Sequence, residues 1–113
     1  MSQLDQIIAE GTIRADYRRT GKPSGHIDCA DGFRLSVQAG NGMYCSPRPF
    51  FTADEDFEGP YTAVEVGYPS ERPEPWGEWS EWVEDENHPT GTVYSQVPVE
   101  AVRALIELHG GAA

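Results

Sequence analysis

Long apolar runs, basic residues and aliphatic side chains are all scarce in this chain of 113 residues. No stretch approaches the roughly 18 consecutive apolar residues that a membrane-spanning helix requires. The N-terminal Met-Ser-Gln-Leu-Asp-Gln has neither the basic nor the apolar region of a signal peptide, so a cytoplasmic protein is expected. There are only two cysteines, Cys29 and Cys45, which could pair, but in an intracellular chain without an export signal both are expected as free thiols. Leu, Ile, Val and Phe together number 21, just under the one-fifth of a chain that, with high charge, warns of disorder. Twelve aromatic residues act against that warning, because each large ring buries much surface. A chain of this length can enclose roughly two-thirds of its unfolded surface in one core, so residues 1–113 are read as a single domain.

Lys and Arg total 8 against 19 Asp and Glu, a formal net charge of −11. The imbalance is local. Residues 54–86 hold 12 acids and one base, Arg72, whereas the remaining 80 residues carry equal numbers of each sign. The same segment contains all three Trp and four of the nine prolines, Pro60, Pro69, Pro73 and Pro75, so its charge is stiffened rather than loose. Direct binding to nucleic acid or to an anionic membrane needs an excess of Lys and Arg and is not expected.

The pattern of apolar residues predicts an α+β fold. The expected layout is a mostly antiparallel four- to five-stranded sheet with a C-terminal helix packed on one face and a short N-terminal helix. Ser2 with Asp5, then Leu4, Ile7 and Ile8 before Gly11, reads as a short capped helix. Residues 12–32 are ambiguous, with an edge strand possible over Thr12–Tyr17. Phe33, Leu35 and Val37 alternate with polar residues as a half-buried strand, and the turn at Gly40-Asn41-Gly42 would return Met43–Ser46 antiparallel to it. Pro47 and Pro49 open a long acidic loop that reaches Gly59-Pro60. A strand follows over Tyr61–Gly67, then a connection stiffened by prolines. Another strand is expected over Thr92–Val97, with Val93 and Val97 on one face and Tyr94 and Gln96 on the other. Pro98 would lie in the first turn of the last helix, whose stripe is Val102, Leu105, Ile106 and His109 and which ends at Gly110-Gly111.

Catalytic signals are sparse. His26, Cys29, Cys45 and His88 have the residue types of a zinc site but not the paired spacing, so no metal is expected. Cys45 precedes Ser46-Pro47-Arg48, where a cation would lower a thiol pKa, yet no general base lies beside it in sequence. Phosphate-binding glycine loops, dinucleotide fingerprints and zinc-protease helices are missing. The expectation is a protein that is not an enzyme, with no catalytic residues and no cofactor.

The most unusual stretch runs from Trp76 to Glu84. Trp76, Trp79 and Trp82 recur every three residues, as do Glu78, Glu81 and Glu84, which on a helical turn would set rings in one row and carboxylates in the next. This is either an amphipathic segment covering a sheet edge or a docking surface, since Trp anchors ringed by charge are typical of binding hot spots. With Asp54, Glu55, Asp56 and Glu58 these six residues form the candidate protein-binding set. A second, basic group comprises Arg14, Arg18, Arg19 and Lys22. It either balances the acidic face within the molecule or holds an anion. The corresponding candidate ligand-binding set is Arg18, Arg19, Tyr44, Arg48 and Tyr94.

Four segments carry a resemblance to known proteins: Asp31–Gln38, Tyr44–Arg48, Gly59–Ser70, and Thr92–Glu100 together with His109-Gly110-Gly111. Across about 80 residues the chain resembles a family of small accessory proteins of tailed phages and prophages of high-GC bacteria. The resemblance implies a phage or prophage origin and expression in the host cytoplasm, and it brings no catalytic residues. Small acidic phage proteins suggest counter-defence. The first expectation is an anti-CRISPR-like inhibitor whose acidic face occupies the basic nucleic-acid surface of a host defence complex. The alternatives are a sponge that sequesters a nucleotide immune signal, with a pocket shared in a homo-oligomer, and a phage structural accessory protein that binds a phage partner through its Trp row.

Overall fold

The computed structural model describes residues 2–12, 25–40, 43–46 and 60–113. Its elements are α1 (Gln3–Glu10), β1 (His26–Asp28), β2 (Arg34–Gln38), β3 (Ala63–Gly67), α2 (Trp76–Trp79), β4 (Val93–Pro98) and α3 (Val99–Leu108). The four strands form one antiparallel sheet in sequential order, so the protein is α+β as its sequence predicts.

Two turns of helix do not persist alone in water, and α1 is held at both ends and along one side. Ser2 Oγ accepts the Asp5 amide at 3.1 Å, and the Asp5 carboxylate accepts the Ser2 amide at 3.3 Å, a reciprocal capping box. Leu4 and Ile7 are buried. Gly11 closes the helix at φ +80°, where a Cβ would stand 2.9 Å from the Ala39 carbonyl oxygen, so both backbone angle and space require glycine. At the other end of the chain, Pro98 caps α3 in extended conformation, and Val102, Leu105 and Ile106 form its buried stripe.

The inner face of the sheet is made by Ile27, Leu35, Val37, Val64, Val66, Tyr94 and Val97, each no more than 3% exposed. These residues join Leu4, Ile7 and the α3 stripe in a single core, so both helices cover this face. The helices are tied to each other by Arg103 Nη2 and Asp5 Oδ1 at 2.8 Å. His26, Asp28, Arg34, Ser36 and Gln38 alternate with the core residues and occupy the outer face.

Two local expectations are corrected. Tyr94 lies on the same face as Val97, not opposite to it. Val64 pairs with Val97 and Val66 with Tyr94, so β4 carries one extra residue, and Gln96 absorbs it at φ +50°. A β-bulge of this kind shifts the alternation by one and turns Tyr94 inward. Met43–Ser46 does not return along β2, because β3 takes that place. Ser46 instead bridges Ala63 at the start of β3, and Tyr44 lends its carbonyl to the Gln96 amide at 3.0 Å. The edge strand expected over Thr12–Tyr17 lies outside the described residues beyond Thr12.

Both sheet edges make backbone hydrogen bonds with flanking segments, along β4 and at the end of β1. Along β4, the Ser95 amide donates to Trp82 at 2.9 Å and the Glu84 amide to Val93 at 3.0 Å. Along β1, the Ala113 amide donates to Asp28 at 2.8 Å, while Ala30 donates to Gly111 at 2.8 Å. Covered edges remove the template for strand addition by another chain. The C-terminal cover is secured by His109, whose ring stacks on Phe33 at 3.9 Å and 6° and donates from Nδ1 to Asp31 Oδ2 at 2.7 Å.

These ties contribute to the acid limb of stability. Asp31 is held below the ordinary carboxylate range by the Phe33 amide and then by His109, and Asp5 by Arg103 and then by Ser2. A carboxyl whose folded pKa is depressed contributes stability above its unfolded pKa and loses it as pH falls through the folded value. The melting temperature should therefore hold from pH 7 to about pH 5 and fall below about pH 4. In the Asp5→Asn/Asp31→Asn double variant the acid slope should be shallower. An unchanged slope, followed by circular dichroism between pH 2.5 and 7, would remove these two groups as its source.

Candidate functional site

The Trp and Glu segment begins where Pro69, Pro73 and Pro75 hold the chain extended, and α2 starts immediately after Pro75. Arg72 lies with its guanidinium carbon 5.2 Å from the centre of the Trp76 ring and pairs with Glu74 at 2.8 Å. The second Glu74 oxygen accepts the Trp76 amide at 3.0 Å. Arg72 depresses the Glu74 pKa, and the segment's one cation is thereby neutralised locally.

Trp79 is the anchor. It is 1% exposed and meets Tyr94 edge to face at 5.6 Å and Trp82 at 5.3 Å. Trp76 adds a third edge contact to Tyr94 at 6.4 Å. The three rings do not form the single row that their spacing predicts. The helix ends at Trp79, and by Val83 the chain bridges Tyr94, so Trp82 reaches the cluster from a turn. The segment covers the β4 edge, one of its two expected roles, and this leaves Trp76 and Trp82 half-buried.

Its carboxylates face solvent. Glu71, Glu74, Glu78, Glu81, Glu84, Asp85 and Glu86 are all exposed. Three of them have local duties: Glu74 as above, Glu84 accepting the Ser95 hydroxyl, and Asp85 accepting from the Asn87 amide and His88 Nδ1 in a tight turn. The His88 contact, then the Asn87 amide, lower the Asp85 pKa. Glu71, Glu78, Glu81 and Glu86 make no side-chain hydrogen bond or ion pair among the described residues. The arrangement is a packed aromatic cluster in a segment whose Glu71, Glu78, Glu81 and Glu86 side chains have no partner among the described residues.

Several sequence candidates fall elsewhere. Asp54, Glu55, Asp56, Glu58, Arg14, Arg18, Arg19, Lys22 and Arg48 lie outside the described residues. Tyr44 is 40% exposed. Tyr94 offers no free ring face for stacking. It is fully buried, its hydroxyl donates to the Pro89 carbonyl at 2.7 Å, and burial pushes its pKa up to about 12. Both cysteines are buried and unpaired with each other. Burial raises the Cys29 thiol pKa, while Cys45 Sγ sits against the Gly40 backbone. Among the described residues no group of three His, Cys, Asp or Glu is placed to hold a metal ion. No helix among them is long and apolar enough to cross a membrane.

A second surface was not marked by motif reasoning. Over the outer face of the sheet lies an open groove of about 800 Å³, lined by residues that include Asp28, Arg34, Ser36, Gly67, Tyr68 and Ser70. Gly67 ends β3 at its pairing with Ser36, and Tyr68 follows at φ +48°, 64% exposed. A non-glycine residue in the left-handed region costs about 1 kcal/mol. The only sequence cue is a glycine ending a strongly alternating strand immediately before Tyr-Pro.

Comparison with protein-family models, curated proteins and solved structures returns no match for this chain.

Proposed function

We propose that this chain is a non-enzymatic binding protein that presents the carboxylates of residues 71–86 to a basic partner surface. Its concrete form is a phage-encoded, anti-CRISPR-like inhibitor acting in the host cytoplasm on the nucleic-acid channel of a bacterial defence complex. The observation that carries the reading is that Trp79 is buried while Glu71, Glu78, Glu81 and Glu86 of the same segment are exposed and make no side-chain hydrogen bond or ion pair among the described residues. Carboxylates on a pinned base lose little conformational freedom on binding, unlike those of a floppy acidic tail. Set against a Lys- and Arg-lined channel they take the places of phosphates, and the overall charge of −11 accelerates encounter while repelling competing nucleic acid.

The test is binding to purified defence effector complexes with basic DNA channels, measured at rising salt and in competition with duplex DNA. Affinity should fall steeply with salt, and the protein should displace DNA. Neutralising Glu71, Glu78, Glu81 and Glu86 to Gln should weaken binding at least tenfold while the circular dichroism spectrum and melting temperature stay near those of the parent. Binding that is indifferent to salt, or a neutralised variant that binds as well as the parent, would overturn the reading.

A further inference from the structure

We propose that the groove on the outer face of the sheet is a binding site for a nucleoside monophosphate, a ligand other than the basic partner proposed for the carboxylates of residues 71–86. Three observations converge on this face. Gly67 supplies a bare patch of strand floor that neither packing nor backbone angle demands. A Cβ there would meet Val93 Cγ1 at 3.5 Å and Ser36 Cβ at 3.8 Å, ordinary contacts, and its φ is not in the left-handed region. A glycine on the sheet face leaves room for a ligand to approach the backbone closely.

Tyr68, the next residue, is held at φ +48° with 64% of its surface exposed, an unfavourable backbone that keeps a large ring in solvent beside that floor. Strain of this kind persists where it positions a group for use. Arg34 is the third element. In a chain with 19 acids and 8 bases, its guanidinium makes no ion pair among the described residues, although it lines the groove.

The surrounding groups define the ligand. A planar base fits against the Tyr68 ring, where stacking tolerates any base. Arg34 presents a planar fork suited to a phosphate. The Ser70 hydroxyl accepts the Arg34 amide at 2.8 Å and the Ser36 hydroxyl accepts Gln38 Nε2 at 3.0 Å, so each retains a proton to donate to phosphate oxygens. Asp28 supplies a carboxylate that accepts ribose hydroxyls. One phosphate is expected, because among the described residues Arg34 is the single Arg or Lys lining the groove, with Asp28 as its cross-strand neighbour, and the net charge of −11 repels a polyanion.

The experiment is a ¹H–¹⁵N titration of the full chain with adenosine 5′-monophosphate, with inorganic phosphate, adenosine and a short single-stranded oligonucleotide as separate arms. The mononucleotide should shift the amides of residues 26–28, 34–36 and 67–70, and bind at least tenfold more tightly than phosphate or adenosine alone. Arg34→Gln and Tyr68→Ala should each weaken it about tenfold. Gly67→Val should abolish it, and Gly67→Ala, whose Cβ the structure accommodates, should weaken it without loss of folding. No shift at 10 mM nucleotide, shifts confined to another surface, indifference to Arg34→Gln and Gly67→Val, or tighter binding of the oligonucleotide would each overturn the proposal. A variant neutralised only at Glu78, Glu81 and Glu86, none of which lines the groove, should still bind the mononucleotide through the same residues, which keeps the two surfaces distinguishable.

Discussion

Replacing Trp79 with Ala should destabilise the protein by about 3–5 kcal/mol, the usual range for removing a large buried aromatic ring. The ring is 1% exposed and holds edge contacts to both Tyr94 and Trp82, so its loss leaves a cavity at the seam between β4 and the segment that covers it. Total stabilities of small domains are about 5–15 kcal/mol, so the variant should be marginal at 37 °C. Trp76→Ala is the matched control. That ring is half-buried and makes one longer aromatic contact, so about 1 kcal/mol is expected. Urea unfolding followed by far-ultraviolet circular dichroism reads both, since tryptophan emission itself changes. A Trp79→Ala loss below about 1 kcal/mol would mean that the segment is not anchored there. The proposed mode of partner binding would then lose its rigid base.

The helix over Val99–Leu108 is legible because three independent cues agree: Pro98 at its start, a stripe at helical spacing, and two glycines at its end. The capped α1 is legible for the same reason. Tyr94 is where local reasoning fails. Strict alternation puts it opposite Val97, and only the bulge at Gln96, which no glycine or proline marks, turns it into the core. The return of Met43–Ser46 fails differently. A turn signal at 40–42 says that the chain reverses, but not that the better alternating segment, Ala63–Gly67, will take the place beside β2.

At the candidate site the periodicity of Trp76, Trp79 and Trp82 correctly marks an unusual segment. It cannot say which ring goes deepest, because the deciding partner, Tyr94, comes from a different element. The outer groove was harder to read. Gly67 and Tyr68 matter through a backbone angle and an exposed ring, neither of which leaves a pattern in residue type. Arg34 stands out only once its lack of a carboxylate partner among the described residues is known.

The second large effect is expected at the C-terminal clip. Phe33→Ala should cost about 3–5 kcal/mol, because Phe33 is 1% exposed and forms the platform on which His109 stacks at 3.9 Å. His109→Ala should cost about 2 kcal/mol, since it removes a mostly buried ring and frees the tail that covers β1. The two substitutions should not add. A double-mutant cycle measured in urea should return a coupling of about 0.5–1.5 kcal/mol, the range for a stacked aromatic pair. His109→Phe separates the contributions, because it keeps the stack and loses the bond to Asp31. If stacking dominates, that variant should recover most of the stability lost in His109→Ala. Amide exchange of Ala113 and Ala30, which donate to Asp28 and Gly111, reports whether the tail has opened. In His109→Ala both should exchange faster, while the amides of β3 in the centre of the sheet stay protected. Additive costs together with unchanged exchange would show that His109 merely rests on Phe33 and does not hold the edge closed.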